Sequence, residues 1–330
     1  MESIIQEVRY FLYLVAFYPG SRQFWPYVLL YIAIAFYIIR RSMINRQEPV
    51  NFSALLGRLF PAAIYAHASF RMDMKFFLVY FAVVRVGVIS LIISATAYIS
   101  GVVVSHIQPL LQPIADHSVT DSSGPDLADR LWFTLISVVV LDFGYFLAHF
   151  LSHRVPALWA FHQVHHGAEH LTPITASRFH PVDYLWTIFV STLLSSFVVS
   201  VFTLYHGTQV QLITVLNVSV AFMLFHLLSN FRHSHVWISF GPRVSRFLVS
   251  PCMHQIHHST APRHLDKNFG LIFSVWDRWF NSAYIPEKHE SFDMGLGSDR
   301  LTSHQSVWRH LWLPLCDSIR SIRRKRWWVG

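Results

Sequence analysis

Charged residues are scarce in this chain of 330 residues, because Asp, Glu, Lys and Arg together make up only 13% of it. An average soluble domain carries roughly 25% of these residues. Cysteine is also rare: Cys252 and Cys316 are too few for a disulfide framework and lack CxxC spacing. Hydrophobic residues reach 53% and the mean hydropathy is +0.38, which excludes a disordered chain and a fibrous repeat protein. The composition therefore predicts a membrane-embedded protein.

Five apolar runs in the sequence predict membrane helices. They are Phe24–Ile39, Phe76–Val104, Leu131–Leu151, Tyr184–Tyr205 and Val210–Leu228. The last two runs are separated by a short turn around Gly207 and are typical of a membrane hairpin, and Arg40 and Arg41 are expected to end the first run. We therefore expect an all-α, multi-pass integral membrane helical bundle.

The distribution of Lys and Arg predicts the orientation of this bundle. The segment between the first two runs is rich in these cations: Arg40, Arg41, Arg46, Arg58, Arg71 and Lys75. The segment between the second and third runs is rich in aspartate instead: Asp116, Asp121, Asp126 and Asp129, with Arg130 alone at its end. Cytoplasmic loops carry the excess of Lys and Arg. The first segment is therefore predicted inside, and residues 152–183 and everything after Leu228 follow on the same side.

Histidine is the unusual abundance in this sequence, since its 21 residues outnumber the 18 acidic residues. Eight of them form three clusters: His149 and His153; His162, His165 and His166; His254, His257 and His258. Spacings of three and four residues place side chains on one face of a helix, with Cβ atoms about 5–6 Å apart. Two such rings can converge on one metal ion. The clusters predict a histidine-rich cap that binds metal on the cytoplasmic side.

The number of clustered histidines indicates two metal ions, because a structural zinc takes four protein ligands and a catalytic zinc takes three. Ligand type alone does not choose the metal, since imidazole suits zinc, copper, iron and nickel. No HExxH motif occurs, and no Asp or Glu lies between the histidines of a cluster. Two irons that bind and reduce O2 fit best. A dinuclear zinc hydrolase and a non-catalytic metal-binding membrane protein remain as alternatives.

The histidine clusters stand in a longer pattern that runs from about Asp129 to Tyr284. Its parts are Leu141-Asp142-Phe143, the run Leu158–Gly167, Ser177-Arg178-Phe179-His180-Pro181, His233-Ser234-His235, Asp266-Lys267-Asn268-Phe269-Gly270 and Trp276-Asp277-Arg278-Trp279-Phe280. This pattern resembles the fatty acid hydroxylase/sterol desaturase superfamily of integral-membrane di-iron oxygenases. Three residues separate the two histidines of the first cluster, as in the hydroxylase and sterol branch. His235 departs from the pattern, because relatives often have Asn there.

The resemblance implies an oxidoreductase that uses two iron ions (Fe2+/Fe3+) and O2 to hydroxylate a C–H bond of a lipid in lipid biosynthesis. The lipid, a sterol, sphingoid base, fatty acyl chain or related molecule, would come from the bilayer. Desaturation by the same di-iron site is the alternative outcome. Because no His-Pro-Gly-Gly motif of a cytochrome b5 domain occurs, we expect a separate electron donor of the cytochrome b5, ferredoxin or reductase type. No nucleic-acid partner is expected, and the sequence does not distinguish a bacterial inner membrane from the endoplasmic reticulum.

The eight clustered histidines are the expected catalytic metal ligands. His180 and His233 lie at positions where the resembled family often has histidine, and we expect them to complete or brace the site, unlike His106 and His117 in the outer loop.

Several other polar residues have two possible roles. Asp142 lies two helical turns before His149, and either pairs with Arg85 or hydrogen-bonds a ligand imidazole. Asn268 and Asp277 either brace the third cluster or cap helices, and the role of His226 is open.

The chain is expected to divide into three parts: N-terminal membrane helices and connecting loops in residues 1–128, the hydroxylase-like catalytic domain in 129–284, and a basic cytoplasmic tail in 285–330.

Overall fold

The structure is a computed structural model that describes residues 2–83, 89–115, 124–296, 301–303 and 305–324. The described residues of the N-terminal part of the chain are mostly helical. Its helices are α1 (Glu2–Leu12), a π-helical turn (Tyr13–Phe17), α2 (Trp25–Asn45), α3 (Phe52–Leu59), α4 (Ala62–Tyr65), α5 (Ala68–Val83) and α6 (Ile89–Ala115).

The rest of the chain is also mostly helical. It contains α7 (Leu127–Arg154), α8 (Pro156–His166), a 3-10 turn (Pro173–Ser177), α9 (Pro181–His206), β1 (Thr214–Val215), β2 (Val218–Ser219), α10 (Val220–Arg232), α11 (Gly241–Val244), α12 (Pro251–His257), a 3-10 turn (Pro262–His264), α13 (Val275–Trp279) and α14 (Val307–Arg323). The expected all-α architecture is confirmed, with one small antiparallel hairpin of β1 and β2 among the described residues.

Three of the described helices are long and apolar enough to cross a membrane: α2, α7 and α9. Helices α7 and α9 pack closely along their length. A Cβ atom added at Gly144 of α7 would lie only 2.9 Å from the Cα atom of Ser191 in α9, so the close approach of the two helices depends on this glycine. Asp126 and Asp129 form a capping box that fixes the start of α7.

The boundaries of the first two predicted spans differ from the structure. Helix α2 continues six residues beyond Ile39 to Asn45, so Arg40 and Arg41 do not end it. Arginine has high helix propensity, which allows the helix to continue past the apolar run. The predicted span Phe76–Val104 corresponds to parts of α5 and α6, and residues 84–88 between them lie outside the described residues.

The prediction of a fifth span at Val210–Leu228 is wrong. Leu216 and Asn217 have φ angles of 52° and 60°, which is the left-handed geometry of a two-residue hairpin turn, and they join β1 to β2 within the apolar run. Helix α10 therefore begins only at Val220 and has 13 residues, or about 20 Å. That length is less than the roughly 30 Å of a bilayer's hydrocarbon core.

The histidine clusters lie where several elements meet at the C-terminal end of α7. Helix α2 runs beside this region: its Tyr31 hydroxyl lies 2.9 Å from the hydroxyl of Ser234, and Tyr31 and Met43 share a buried apolar cluster with Val236. Helix α14 packs against α8. Segments from both ends of the chain therefore support the histidine-bearing region.

Candidate metal centre

Nine buried histidines form two adjacent groups in which the possible ligand atoms lie within 4.8 Å of one another. The first group contains His149, His153, His162, His166 and His257, and the second contains His165, His233, His254 and His258. The structure thus brings together all eight clustered histidines and also His233. Neither group contains a carboxylate or a cysteine among the residues that the structure describes.

Short helices set the direction of these rings. Helices α8 and α12 each begin with a proline, Pro156 and Pro251, at the first helical position, where the missing N–H is not needed. In α8 the spacing of His162 and His166 sends both rings toward the first group, whereas His165, about a quarter turn away, points into the second. One helix therefore contributes to both groups.

The outer nitrogens of five of these imidazoles are fixed by hydrogen bonds. Each Nδ1–H donates to an oxygen: His149 to Phe269 O (2.8 Å), His257 to Lys267 O (2.7 Å), His162 to Asp183 Oδ2 (2.9 Å), His233 to Ser229 O (2.9 Å) and His165 to Arg178 O (3.3 Å). Such partners set the tautomer and orientation of metal-binding histidines. They leave each Nε2 without a proton and directed inward.

The inward-facing nitrogens fit metal ions. The Nε2 atoms of His149, His162 and His257 are buried and have no hydrogen-bond partner among the described residues. His165 and His233 place their Nε2 atoms 3.2 Å apart, although both protons are committed to carbonyl groups on the other side of the rings. Two facing lone pairs repel each other unless a cation lies beside both. The donor set therefore fits two metal ions held by imidazole.

Burial favours the neutral form of several histidines in the two groups. Desolvation, followed by the charge of neighbouring rings, holds the pKa values of His165, His166 and His258 well below their usual range. Burial and then the charge of Arg232 lower the pKa of His254 strongly and that of His233 to about 3. A neutral imidazole is the form that binds metal.

Arg232 is a buried cation that contacts this centre. Its guanidinium lies 2.7 Å from Nδ1 of His254 and over the ring of Tyr145, and its side chain is almost fully buried, with Nε lacking a partner among the described residues. Sequence reasoning missed Arg232 and the contact of Asp183 with His162. A lone charge at the end of an apolar helical run was the available signal for both.

Asp142 holds the loop that carries the backbone acceptor of His149. Its carboxylate accepts hydrogen bonds from the backbone N–H groups of Ile272 and Phe273 and from the indole N–H of Trp276. The structure thus shows no direct contact with a ligand imidazole. The proposed partner Arg85 lies outside the described residues.

Asn268 braces the third cluster, and Asp277 braces the turn whose carbonyl accepts from His149. The Asn268 amide donates to Met253 O, next to His254, and exchanges hydrogen bonds with the backbone of Tyr284. Asp277 accepts from the backbone N–H groups of Phe269 and Gly270. A Cβ at Gly270 would lie 2.7 Å from a carbonyl oxygen, so this tight turn requires glycine.

A buried ion pair connects the second cluster to α5. The guanidinium of Arg178 contacts Asp73 at 3.2 Å and donates to Val164 O at 3.0 Å, and both charged side chains are fully buried. Thr175 donates to the same carboxylate at 2.5 Å. Since the carbonyl of Arg178 also accepts from His165, this pair fixes the backbone that orients one ring of the second group.

His180 and His106 lie apart from the two groups. In His180, Nδ1 accepts from the N–H of Val182 and Nε2 donates to Leu311 O in α14, so both nitrogens are occupied. His106 is exposed in α6 and bonds to a backbone carbonyl of its own helix. His117 lies outside the described residues. His180 therefore joins α9 to α14, two helices that both pack against α8.

The comparisons with known proteins match the part of the chain that carries this site. Residues 134–282 match the fatty acid hydroxylase family. Ornithine lipid hydroxylase OlsE of Rhizobium tropici is 27% identical over 172 residues, which are 52% of this chain and 48% of that protein. Alkylglycerol monooxygenase of Danio rerio is 31% identical over 162 residues, which are 48% of this chain and 32% of that protein. The human alkylglycerol monooxygenase is 29% identical over 47% of this chain and 31% of its own length. The matches thus span about half or less of these curated relatives, and no solved structure matches.

Proposed function

We propose that the chain, whose residues 134–282 match the fatty acid hydroxylase family, is an O2-dependent di-iron oxygenase that hydroxylates a C–H bond of a membrane lipid. The observation that carries this proposal is the pair of adjacent, buried, all-imidazole groups beside an apolar cavity of about 800 Å³.

The two groups supply one set of ligands for each metal ion. His149, His153, His162, His166 and His257 would hold one ion, and His165, His233, His254 and His258 would hold the other. His180 acts as a positioning residue and not as a ligand in this assignment. When bound, two irons supply the oxidation of a C–H bond with O2.

The protein's own contribution is to orient the ligands and the substrate. The Nδ1 hydrogen bonds to Phe269, Lys267 and Asp183 keep the inward nitrogens fixed and unprotonated. His149, His162 and His233 also line the cavity, so a lipid lying in it contacts the metal centre directly. Reaction at a fixed distance from the metal centre favours one carbon of the chain over the others.

The ligand chemistry supports iron over a hydrolytic zinc centre. A zinc hydrolase commonly uses a carboxylate beside the metal as a base. The carboxylates nearest the centre, Asp183 and Asp266, approach the outer Nδ1 atoms of His162 and His153 instead. The matched relatives are named as a lipid hydroxylase and monooxygenases, which supports the same reaction class.

The same proposal includes the membrane setting and the partners. His235 donates to Arg58 O, so the cation-rich segment between α2 and α5 lies beside the histidine-bearing region. The positive-inside rule then supports a cytoplasmic position for both. A multi-pass protein in this orientation takes lipid from the bilayer and electrons from a separate cytoplasmic donor. We assign residues 129–284 to the catalytic domain.

Comparative lipid mass spectrometry tests the function. Cells that express the wild-type chain should contain a lipid with one added oxygen atom, and cells that express His257→Ala should not. The exposed His106→Ala variant serves as the matched control and should keep the product. A product that has lost two hydrogen atoms would establish desaturation instead, and identical lipid profiles with and without the gene would contradict the proposal.

A further inference from the structure

The cavity beside the metal centre extends along α9. Helix α9 lines it from Asp183, which contacts His162, to Val199, and these 16 helical steps correspond to about 24 Å. That length exceeds half of the roughly 30 Å hydrocarbon core of a bilayer. The cavity therefore has room for one extended alkyl chain with one end at the metal centre.

Three hydroxyls of the α9 wall are already engaged within their own helix. The hydroxyls of Thr187, Ser195 and Ser196 line the cavity, but each donates to the carbonyl four residues earlier in its own helix, at 2.7–3.1 Å. Serine and threonine satisfied in this way present a nearly apolar surface. These three positions therefore suit contact with a hydrocarbon chain.

Positive charge is concentrated at the metal end of the cavity. Arg22 and Arg232 both line it, and neither has a carboxylate within ion-pair distance among the described residues. Arg232 is buried, with an unpartnered Nε. Asp183, the one acidic residue among the described residues that line the wall, is engaged by His162. An unpaired cation in an apolar wall is costly unless a ligand of opposite charge binds there.

Backbone contacts fix Arg22 next to the second group of histidines. Its guanidinium donates to the carbonyl of Ala176, two residues before Arg178, whose own carbonyl accepts from His165. Its carbonyl accepts from the side chain of Asn230, three residues before His233. Arg22 thus contacts residues that lie two or three positions from Arg178 and His233 in the chain. It comes from the loop before α2, which lies outside the family match.

From this arrangement, and resting on the proposed function, we propose that the cavity binds a single-chain amphiphile with an anionic headgroup. Arg22 binds the headgroup at the metal end, Arg232 adds positive potential, and the alkyl chain extends along α9. Oxidation then falls on carbons close to the headgroup.

Ligand binding tests this proposal without turnover. The full-length protein is placed in nanodiscs of zwitterionic lipid, and dissociation constants are measured for palmitate, cetyl alcohol and cetyltrimethylammonium. The wild-type protein should bind palmitate at least tenfold more tightly than either of the other two, and free acetate should not displace palmitate. Equal binding of palmitate and cetyl alcohol, or displacement by acetate at similar concentration, would overturn the proposal.

Substitution of Arg22 assigns the headgroup site. Arg22→Gln should weaken palmitate binding at least tenfold and leave cetyl alcohol binding within twofold, and Arg22→Lys should lie between. Arg243→Gln, which removes an exposed arginine outside the cavity, is the matched control and should change neither. Retained preference for palmitate in Arg22→Gln would assign the headgroup elsewhere and overturn the proposal.

If Arg22→Gln does not fold, the affinities of the wild-type protein for the three amphiphiles still test whether the cavity prefers an anionic headgroup. Preference for palmitate without any oxidised lipid in cells would contradict the oxygenase function alone, so failures of the two proposals are distinguishable.

Discussion

The hydrogen bond between Asp183 and His162 should contribute measurably to the affinity of the first histidine group for metal. The two side chains are 3% and 4% exposed, and Oδ2 lies 2.9 Å from Nδ1. A hydrogen bond to a charged group contributes about 1.5–3 kcal/mol, against about 0.5–1.5 kcal/mol for a neutral one. Asp183→Asn keeps the shape and removes the charge, so it should cost about 1.4 kcal/mol, or a factor of about ten in the affinity of the first histidine group for metal.

Asp266 provides a matched control in the same region. Its Oδ1 lies 3.5 Å from Nδ1 of His153, which is too far for a strong hydrogen bond, and its side chain is 33% exposed. Its φ angle of 57° is one that asparagine also adopts readily. Asp266→Asn should therefore change metal affinity by less than about threefold, since exposed ion pairs contribute about 0–1 kcal/mol.

The assay is competition between the purified protein and a chromophoric chelator for one metal, with circular dichroism as the check on folding. Asp183→Ala, which also leaves the Nδ1–H unsatisfied, should lose about a hundredfold. The reasoning fails if Asp183→Asn retains wild-type affinity, or if Asp266→Asn is equally damaging.

Three further predictions concern the ligands, the buried ion pair and pH. His233→Ala should remove one metal ion per chain, whereas His180→Ala should retain both ions and lower activity about tenfold. His106→Ala should change neither metal content nor activity. Metal analysis and lipid turnover measure these effects, and normal turnover of His233→Ala would exclude His233 as a ligand. Arg178→Met leaves the carboxylate of Asp73 buried without its cationic partner and should lower the free energy of unfolding by about 3–5 kcal/mol in denaturant titrations. The double variant Arg178→Met with Asp73→Leu should recover most of this loss. A loss below about 1 kcal/mol in the single variant would contradict the assigned geometry. Burial lowers the pKa values of His165, His257 and His258 well below 6.5, so the unfolded chain binds more protons than the folded chain just below that pH. The stability of the metal-free protein should therefore be highest above about pH 6.5 and fall on acidification, and a stability that rises on acidification would show that the rings are not buried as neutral groups.

The histidine clusters could be predicted from the sequence because helical spacing alone brings His162 and His166 to one face. His233 was inferred from its position after an apolar run and from the resemblance. These inferences needed no knowledge of which distant segments meet.

The partners of the clusters could not be predicted, because they depend on contacts between distant segments. Asp73 is 105 residues from Arg178 in the chain, and Arg22 reaches Ala176 across 154 residues. Hydropathy also failed at residues 210–228, where the turn at Asn217 overrides an apolar run.

The central claim is that this chain oxidises a lipid with O2 at a centre of two irons. The most direct measurement is turnover by purified, iron-loaded protein in nanodiscs with a reductant under oxygen-18 gas, with metal quantified in the same sample. We predict close to two irons per chain and a hydroxylated lipid that carries one oxygen-18 atom. Two zinc ions with no oxygen consumption, or a product whose oxygen comes from water, would contradict the claim.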